Sequence, residues 1–335
     1  MTAVPDYVLA DEVIAQHPIE PRDAARLLVA TDPAAPPGHQ HVRDLPSLVG
    51  PGDVIVVNTS RVLPARLRLR KRTGGHAEVL LLEADPSDVD VWTALVRPGR
   101  RLAPGTELTA PGGGDAVVEI GARLDDGRRA VRLLPGASLA ALGQVPLPPY
   151  IHEPLADPER YQTVYADRPG SVAAPTAGLH LTNDVLDRCR ERGATLETVD
   201  LAVGLGTFRP LSAETVESHV MHVERYRVAP STMAACRSAR RVVAIGTTTV
   251  RALETAAATG DADGRSDLFI HGEYPFAVVD VLLTNFHQPR SSLLVLVEAF
   301  CGPRWRELYG CAMTAGYRFL SFGDAMIVTR RVARR

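Results

Sequence analysis

The chain has 335 residues, 45% of them apolar and 23% charged, with a formal net charge of -2. That length holds two domains or one large one, and the ordinary composition and near-neutral charge argue against a disordered chain or a globally basic nucleic-acid binder. No apolar run reaches membrane-spanning length, the start is acidic where a signal peptide is basic, and Cys189, Cys236, Cys301 and Cys311 show no paired spacing, so a cytoplasmic protein without a disulfide framework or a cysteine zinc site is expected. Residues 11–14 and 22–30 carry apolar positions at helical spacing and predict a helical opening, broken by a Pro-rich stretch at 32–39. The β-branched run 54–57 predicts a buried strand. Asn58, Thr59, Ser60 and Arg61 follow at its C-terminal end, where ligands sit in α/β sheets; Arg61 is suited to an anion there, or to the surface beside an Asn turn.

From residue 64 to about 143 the character changes. Arg66, Arg68 and Arg70 alternate with Leu67 and Leu69, and short apolar runs at 77–82, 89–96, 116–120 and 129–134 are punctuated by Gly, Pro and Asp. This pattern predicts a small antiparallel barrel or sandwich. Its basic strand face could track a phosphate backbone or simply be solvated. Lys71 is the only lysine in the chain. Arginine is the better phosphate fork, but an arginine-rich genome would supply it without that purpose.

The stretch SVAAPTAGLHLT at 171–182 organises the remainder. Pro175 and Gly178 predict a shaped loop, and Thr182 is the N-cap of a helix over 183–192 stopped by Gly193. The loop would bring backbone N–H groups and the His180 imidazole together, unless His180 is a packed core histidine. A strand at 196–203 ends in Gly204, Gly206 and Thr207, glycines that let a ligand approach the backbone. His219, His222 and Glu224 fall within SHVMHVERY; their spacing does not match a helical zinc motif, leaving acid–base work, ribose binding or a structural network. Residues 242–245 form a strand, Gly246 to Thr249 a turn and 250–258 a helix closed by Gly260, with Thr248 and Arg251 near its start: an anion site or an ordinary capped turn. A strand at 278–284 sets Asn285 and His287 at its end. Ser291 or Ser292 caps an apolar helix at 293–300, and the segment 317–328 offers a turn with Asp324 and a last strand.

GSVAAPTAGLHLT, VGLGTFRP, HVMHVERY, AIGTTTVRALE, LLTNFHQPRSSLLVLVEAFCG and FLSFGDAMIV occur in this order, with VPLPPYI, RYQTVYA and IAQHPIEPRDAARLL before them. Together they resemble the S-adenosylmethionine:tRNA ribosyltransferase-isomerase family of queuosine biosynthesis, over nearly the whole chain and least in the β-domain. The resemblance implies an α/β core like an incomplete α/β barrel, over 1–63 and 146–335, with a small all-β barrel inserted at 64–145. It implies transfer and isomerisation of the ribosyl group of S-adenosylmethionine onto 7-aminomethyl-7-deazaguanine in tRNA, giving epoxyqueuosine-tRNA, adenine and methionine. S-adenosylmethionine is then a co-substrate, no metal or other cofactor is needed, and a monomer is expected.

Against that chemistry, the candidates for proton transfer are His180, His222, Glu224 and His287, or the substrate's own amine. Substrate-binding candidates are Asn58, Arg61, Thr176, Gly178, Gly204, Gly206, Thr207, Thr248, Arg251, Asn285 and Asp324, and RNA-binding candidates are Arg66, Arg68 and Arg70. Some positions depart from the family pattern. Thr59 and Ser60 follow Asn58 where the family has an Asp before Thr-Arg, Ala25 replaces Ser, Leu181 replaces Phe and Gln288 replaces Leu. Loss of the acid beside Arg61 keeps open ribosyl transfer to a different acceptor. A metal-dependent hydrolase using His180, His219, His222 and Glu224, and a non-catalytic RNA-binding protein, are the competing readings.

Overall fold

The computed structural model describes residues 3–124, 127–204, 211, 215–219, 221 and 223–331. They divide into two compact units: Met1–Arg61, Pro148–Arg168 and Ala174–Arg335 form the first, and Val62–Leu147 with Pro169–Ala173 the second.

The first unit is built on a nine-stranded mixed sheet. Its strands are β1 (Arg26–Ala30), β2 (Gly38–His41), β3 (Asp53–Asn58), β4 (Thr195–Leu201), β5 (Glu224–Val228), β6 (Arg241–Ile245), β7 (Asp263–Ser266), β8 (Val281–Asn285) and β9 (Ala325–Thr329). The spatial order is β7-β5-β4-β3-β6-β8-β9-β1-β2. The central β4, β3, β6 and β8 run parallel, while β9 pairs antiparallel with β8 and parallel with β1. All six positions of β3 are buried, which is why it reads as an unbroken apolar run rather than an alternating one.

Among the described residues five helices accompany the sheet: α1 (Asn183–Glu191), α2 (Pro230–Ser238), α3 (Thr247–Thr259), α4 (Ser292–Cys301) and α5 (Trp305–Thr314). Val185, Leu186 and Cys189 of α1 pack with Ile55, Val57, Val243, Ile245 and Leu283 of the sheet. The caps are those the sequence predicts: Thr182 Oγ1 accepts from Val185 N at 3.2 Å, and Ser291 Oγ from Leu294 N at 3.2 Å. Gly246, between β6 and α3, has φ 90° and ψ 151°, a region closed to side chains, so this turn can be made only by glycine.

The helical opening is overturned. Residues 11–13 and 22–24 are single 3-10 turns, and 26–30 is strand β1. Leu27, Leu28 and Ala30 are buried because β1 lies between β9 and β2, so sheet pairing overrides a pattern too short to fix its own period. The segment 171–182 is more regular than a loop, with a 3-10 helix at Thr176–His180. Helices α2 and α5 carry no expectation in the sequence reading. Among the described residues no helix is long and apolar enough to cross a membrane.

The second unit is a closed barrel of six antiparallel strands: Arg66–Lys71, His76–Asp85, Asp88–Arg97, Arg129–Leu133, Ala116–Arg123 and Glu107–Thr109, the last returning to pair with the first. Leu67, Leu69, Val79, Leu81, Leu108, Val118, Ile120 and Val131 are buried. Closure removes the free edges that short strands otherwise expose. An α/β core with a small β-barrel is the fold class that the resemblance implies.

Candidate active site

The parallel strands β3, β4, β6 and β8 finish at one edge of the core sheet, the position where α/β proteins bind ligands. Asn58 ends β3 and is fully buried. Its Oδ1 accepts from Leu201 N and Ser60 N, both at 3.1 Å, and its Nδ2 donates to Leu201 O at 3.0 Å and to Thr248 Oγ1 at 3.3 Å. Two donors and two lone pairs are thereby used, so Asn58 stitches β3 to β4 and to the first turn of α3 and has nothing left for a ligand.

Next to this seam, Arg251 of α3 forms an ion pair with Glu224 at the start of β5; their side chains are 6% and 4% exposed. Glu224 Oε1 also accepts from Gly204 N at 2.7 Å, and Arg251 Nε donates to Leu268 O at 3.2 Å. Both carboxylate oxygens of Glu224 are therefore engaged, fixing the guanidinium and the turn after β4 together. Arg251 lines a pocket with Thr247, Thr248, Met221, Phe269 and Leu293. The pocket combines apolar and aromatic walls, the buried Arg251–Glu224 pair and the N–H end of α3, a set suited to a flat apolar ring with polar groups at its rim.

A second group of side chains surrounds Asn285, the last residue of β8. Thr176 Oγ1 lies 2.9 Å from Asn285 Oδ1, and Asn285 Nδ2 lies 3.1 Å from His180 Nε2 and 3.4 Å from Asp324 O. Asp324 is buried, and its two oxygens accept from Arg26 N and Arg318 N, each at 2.8 Å, so it shapes the 318–324 turn. Burial, then the nearby Arg318, Arg160 and Arg22, push the His180 imidazole down to about 3. Burial alone does the same to His287, also to about 3. His287 Nε2 lies 2.8 Å from Thr284 Oγ1, its N donates to Tyr309 Oη at 3.0 Å, and its O accepts from Tyr7 Oη at 2.5 Å. Both histidines are thus neutral at ordinary pH, held by neutral partners, and are weak bases.

Gly178 is needed for space: a Cβ there would lie 1.9 Å from Tyr165 Oη and 3.0 Å from Thr163 Cγ2. Arg61 is half-exposed and pairs with Glu159 at 2.5 Å, so Glu159 provides the acid that the segment 58–61 lacks. Thr59 in turn donates from Oγ1 to Val199 O at 3.2 Å, which is strand-end stitching. The His219 ring packs edge-on against Phe269 at 5.2 Å. His222, Gly206 and Thr207 lie outside the described residues. Among the described residues, no three His, Cys, Asp or Glu side chains converge as metal ligands do. Arg68 and Arg70 are exposed on the barrel and Arg66 is half-buried, alternating with buried Leu67 and Leu69.

Sequence reasoning missed Met221, Phe269, Tyr7 and Tyr309. Met221 stands inside the quoted HVMHVERY, but an apolar residue between histidines gives no sign of its own. Tyr7 and Tyr309 are joined to the site only by folding, edge-to-face at 5.2 Å.

A family model described as queuosine biosynthesis protein matches residues 3–328. The chain belongs to that family. It is 49% identical to the S-adenosylmethionine:tRNA ribosyltransferase-isomerase of Rubrobacter xylanophilus, covering 96% of each chain. The proteins of the same name from Moorella thermoacetica and Thermus thermophilus are each 48% identical, covering 96% of this chain and 98% of theirs. The crystal structure of S-adenosylmethionine tRNA ribosyltransferase from Thermotoga maritima is similar at 35% identity, with a TM-score of 0.55, over 96% of this chain and 99% of that one. The resemblance read from the motifs is borne out, and with it an enzyme of queuosine biosynthesis that modifies tRNA.

Proposed function

We propose that the chain transfers and isomerises the ribosyl group of S-adenosylmethionine onto 7-aminomethyl-7-deazaguanine in tRNA, as a cytoplasmic monomer, releasing adenine and methionine and leaving epoxyqueuosine-tRNA. The observation that carries this reading is the pocket at the start of α3: apolar walls for an adenine, beside the N–H end of α3 and the Arg251 guanidinium, whose donors not taken by Glu224, Leu268 O and Ser266 O remain for a methionine carboxylate. Glu224 is then a positioning residue, acting through Arg251 and Gly204 N.

The sulfonium acidifies the ribose carbon attached to sulfur, so removal of a proton there gives a stabilised carbanion, and neither metal nor redox cofactor is called for. A base with its pKa near 3 is poorly matched to that step at neutral pH. This argues that His180 and His287 orient groups by hydrogen bonding and that the proton goes to the substrate's own amine or to His222. As adenine departs its nitrogen must gain a proton, and methionine leaves with the sulfur electron pair when the ribosyl carbon bonds to the acceptor.

The test is adenine release from S-adenosylmethionine with and without tRNA carrying 7-aminomethyl-7-deazaguanine, with the mass of the tRNA measured. Adenine that depends on this tRNA, with the ribosyl-derived mass gained by it, is the expected result. Release with a free deazapurine but not with that tRNA would reassign the acceptor. Arg251→Gln should raise KM for S-adenosylmethionine on the order of tenfold or more, the scale of one charged hydrogen bond lost, with KM for tRNA unchanged.

A further inference from the structure

The barrel divides its charge between its two ends. At one end the first strand runs into residues 70–72, all of them basic, and the third runs into residues 97–101, with three arginines and no acid. Residues 123–129, which join the strand Ala116–Arg123 to Arg129–Leu133, carry three arginines against Asp125 and Asp126; those two acids lie outside the described residues. The nearest acids in the ladder are Glu78, in register with Arg97, and Glu107, which pairs with Arg72 at 2.7 Å. The hairpin at the other end, residues 83–90, holds Glu83, Asp85, Asp88 and Asp90 and no base.

The connection after the third strand is tied to the basic end by cations. Arg129 is buried and donates to Gly121 O and Leu102 O, both at 2.9 Å, and to Gly99 O at 3.4 Å. Arg123 Nη2 donates to the same Gly99 O at 3.3 Å, and Lys71 Nζ to Arg101 O at 3.3 Å. All of these acceptors are backbone carbonyls, which orient positive charge without cancelling it. Arg123 and Arg129 also stand in register on neighbouring strands, and like charges directly opposite weaken a ladder. Burial, then the nearness of Arg123, lowers the pKa of Arg129. Arg100 and Arg101 are exposed on the single 3-10 turn Gly99–Arg101 that these bonds fix. Among the described residues Arg100, Arg101 and Arg123 form no ion pair. Positive charge held on a fixed turn, at a cost to strand pairing and with no paired acid, suits a surface that meets a polyanion.

We propose that this end of the barrel docks on the phosphate backbone of an RNA, with Arg100, Arg101 and Arg123 on its phosphates. That the RNA is the acceptor tRNA rests on the function proposed above; the phosphate-binding surface itself does not. A nucleic-acid backbone is favoured over an acidic peptide because the cations are spread over three chain segments rather than gathered in one cleft, which matches a repeating charge.

Binding of a tRNA transcript to the full chain, followed by fluorescence anisotropy over a range of salt, tests it. Arg100→Ala with Arg101→Ala should weaken binding on the order of tenfold and make the slope of log affinity against log salt shallower by about 1–2. The melting temperature and KM for S-adenosylmethionine should be unchanged. Lysine at both positions should recover most of the loss, because a phosphate accepts a point charge as well as a fork. Arg188→Ala with Arg190→Ala removes the same charge from α1, where each arginine has an Asp partner, and should leave tRNA affinity at the wild-type value. Arg123→Gln should weaken tRNA binding without lowering the melting temperature, since it relieves the repulsion with Arg129. Wild-type affinity and slope in the Arg100/Arg101 variant would overturn the proposal. So would an equal loss in the α1 variant, which would assign the effect to overall charge, or an Arg123→Gln chain that loses stability and keeps its tRNA affinity. A wild type that binds tRNA through this end but releases no adenine would sink the proposed function and leave the surface standing.

Discussion

His180 and His287 are buried among neutral partners, and this has consequences for pH. Each has a folded-state pKa of about 3, well below the ordinary value of 6.5. The unfolded chain therefore binds more protons than the folded one between those limits, so stability is fully present above about pH 6.5 and falls as pH drops towards 3, by up to ~1.4 kcal/mol per pH unit for each histidine. Denaturant unfolding at pH 7 and pH 5 should show this loss, and His287→Gln should flatten it. A pH dependence unchanged in that variant would mean that the imidazole takes up its proton alike in the folded and unfolded chain. Gly178 makes a complementary point about space. Gly178→Ala sets a methyl against Tyr165 Oη and should destabilise by about 1–3 kcal/mol, as overpacking does. Among the described residues Tyr165 Oη has no hydrogen-bond partner, so Tyr165→Phe alone should be nearly neutral and should recover part of the loss in the double variant, a coupling that unfolding midpoints would read directly.

At the scale of elements, Asp53 shows how a strand is fixed at its start. It is the first residue of β3, in register with Arg241 of β6, and accepts from Arg241 at 2.6 and 3.1 Å, from Arg240 at 2.8 Å and from Gly50 N at 3.0 Å. Burial alone would raise its pKa, but these hydrogen bonds and charges outweigh it and hold the carboxyl below its ordinary value. The stabilisation is present above about pH 4 and is lost as pH falls through the depressed folded-state pKa. Asp53→Asn should destabilise by about 1–3 kcal/mol at pH 7, since both arginines are partly solvated, and the difference from wild type should shrink in acid. A gap that stays constant down to pH 3 would contradict the charged pairing. The sequence made β3, β6, β8 and α3 legible because buried β-branched runs followed by Gly or Asn leave a local signature. β1 was not legible, because its four apolar residues suit a helix or a strand equally until β9 and β2 flank them. The Glu224–Arg251 pair was named as two separate candidates; that one fixes the other depends on a chain separation of 27 residues returning to the same end of the sheet.

For the whole molecule, the question is how a chain with net charge -2 holds a polyanion. Recognition must then come from local concentrations of arginine rather than from the overall field. The barrel offers one: Arg68 and Arg70 project from its first strand, and only Arg68 has an acid, Glu78, directly across the ladder. Both are exposed, so removing them should leave the fold unaffected. If this face meets RNA, Arg68→Ala with Arg70→Ala should weaken tRNA binding, reduce the slope of log affinity against log salt by about 1–2, and leave KM for S-adenosylmethionine as it was. Affinity and slope equal to wild type would assign the face to solvent.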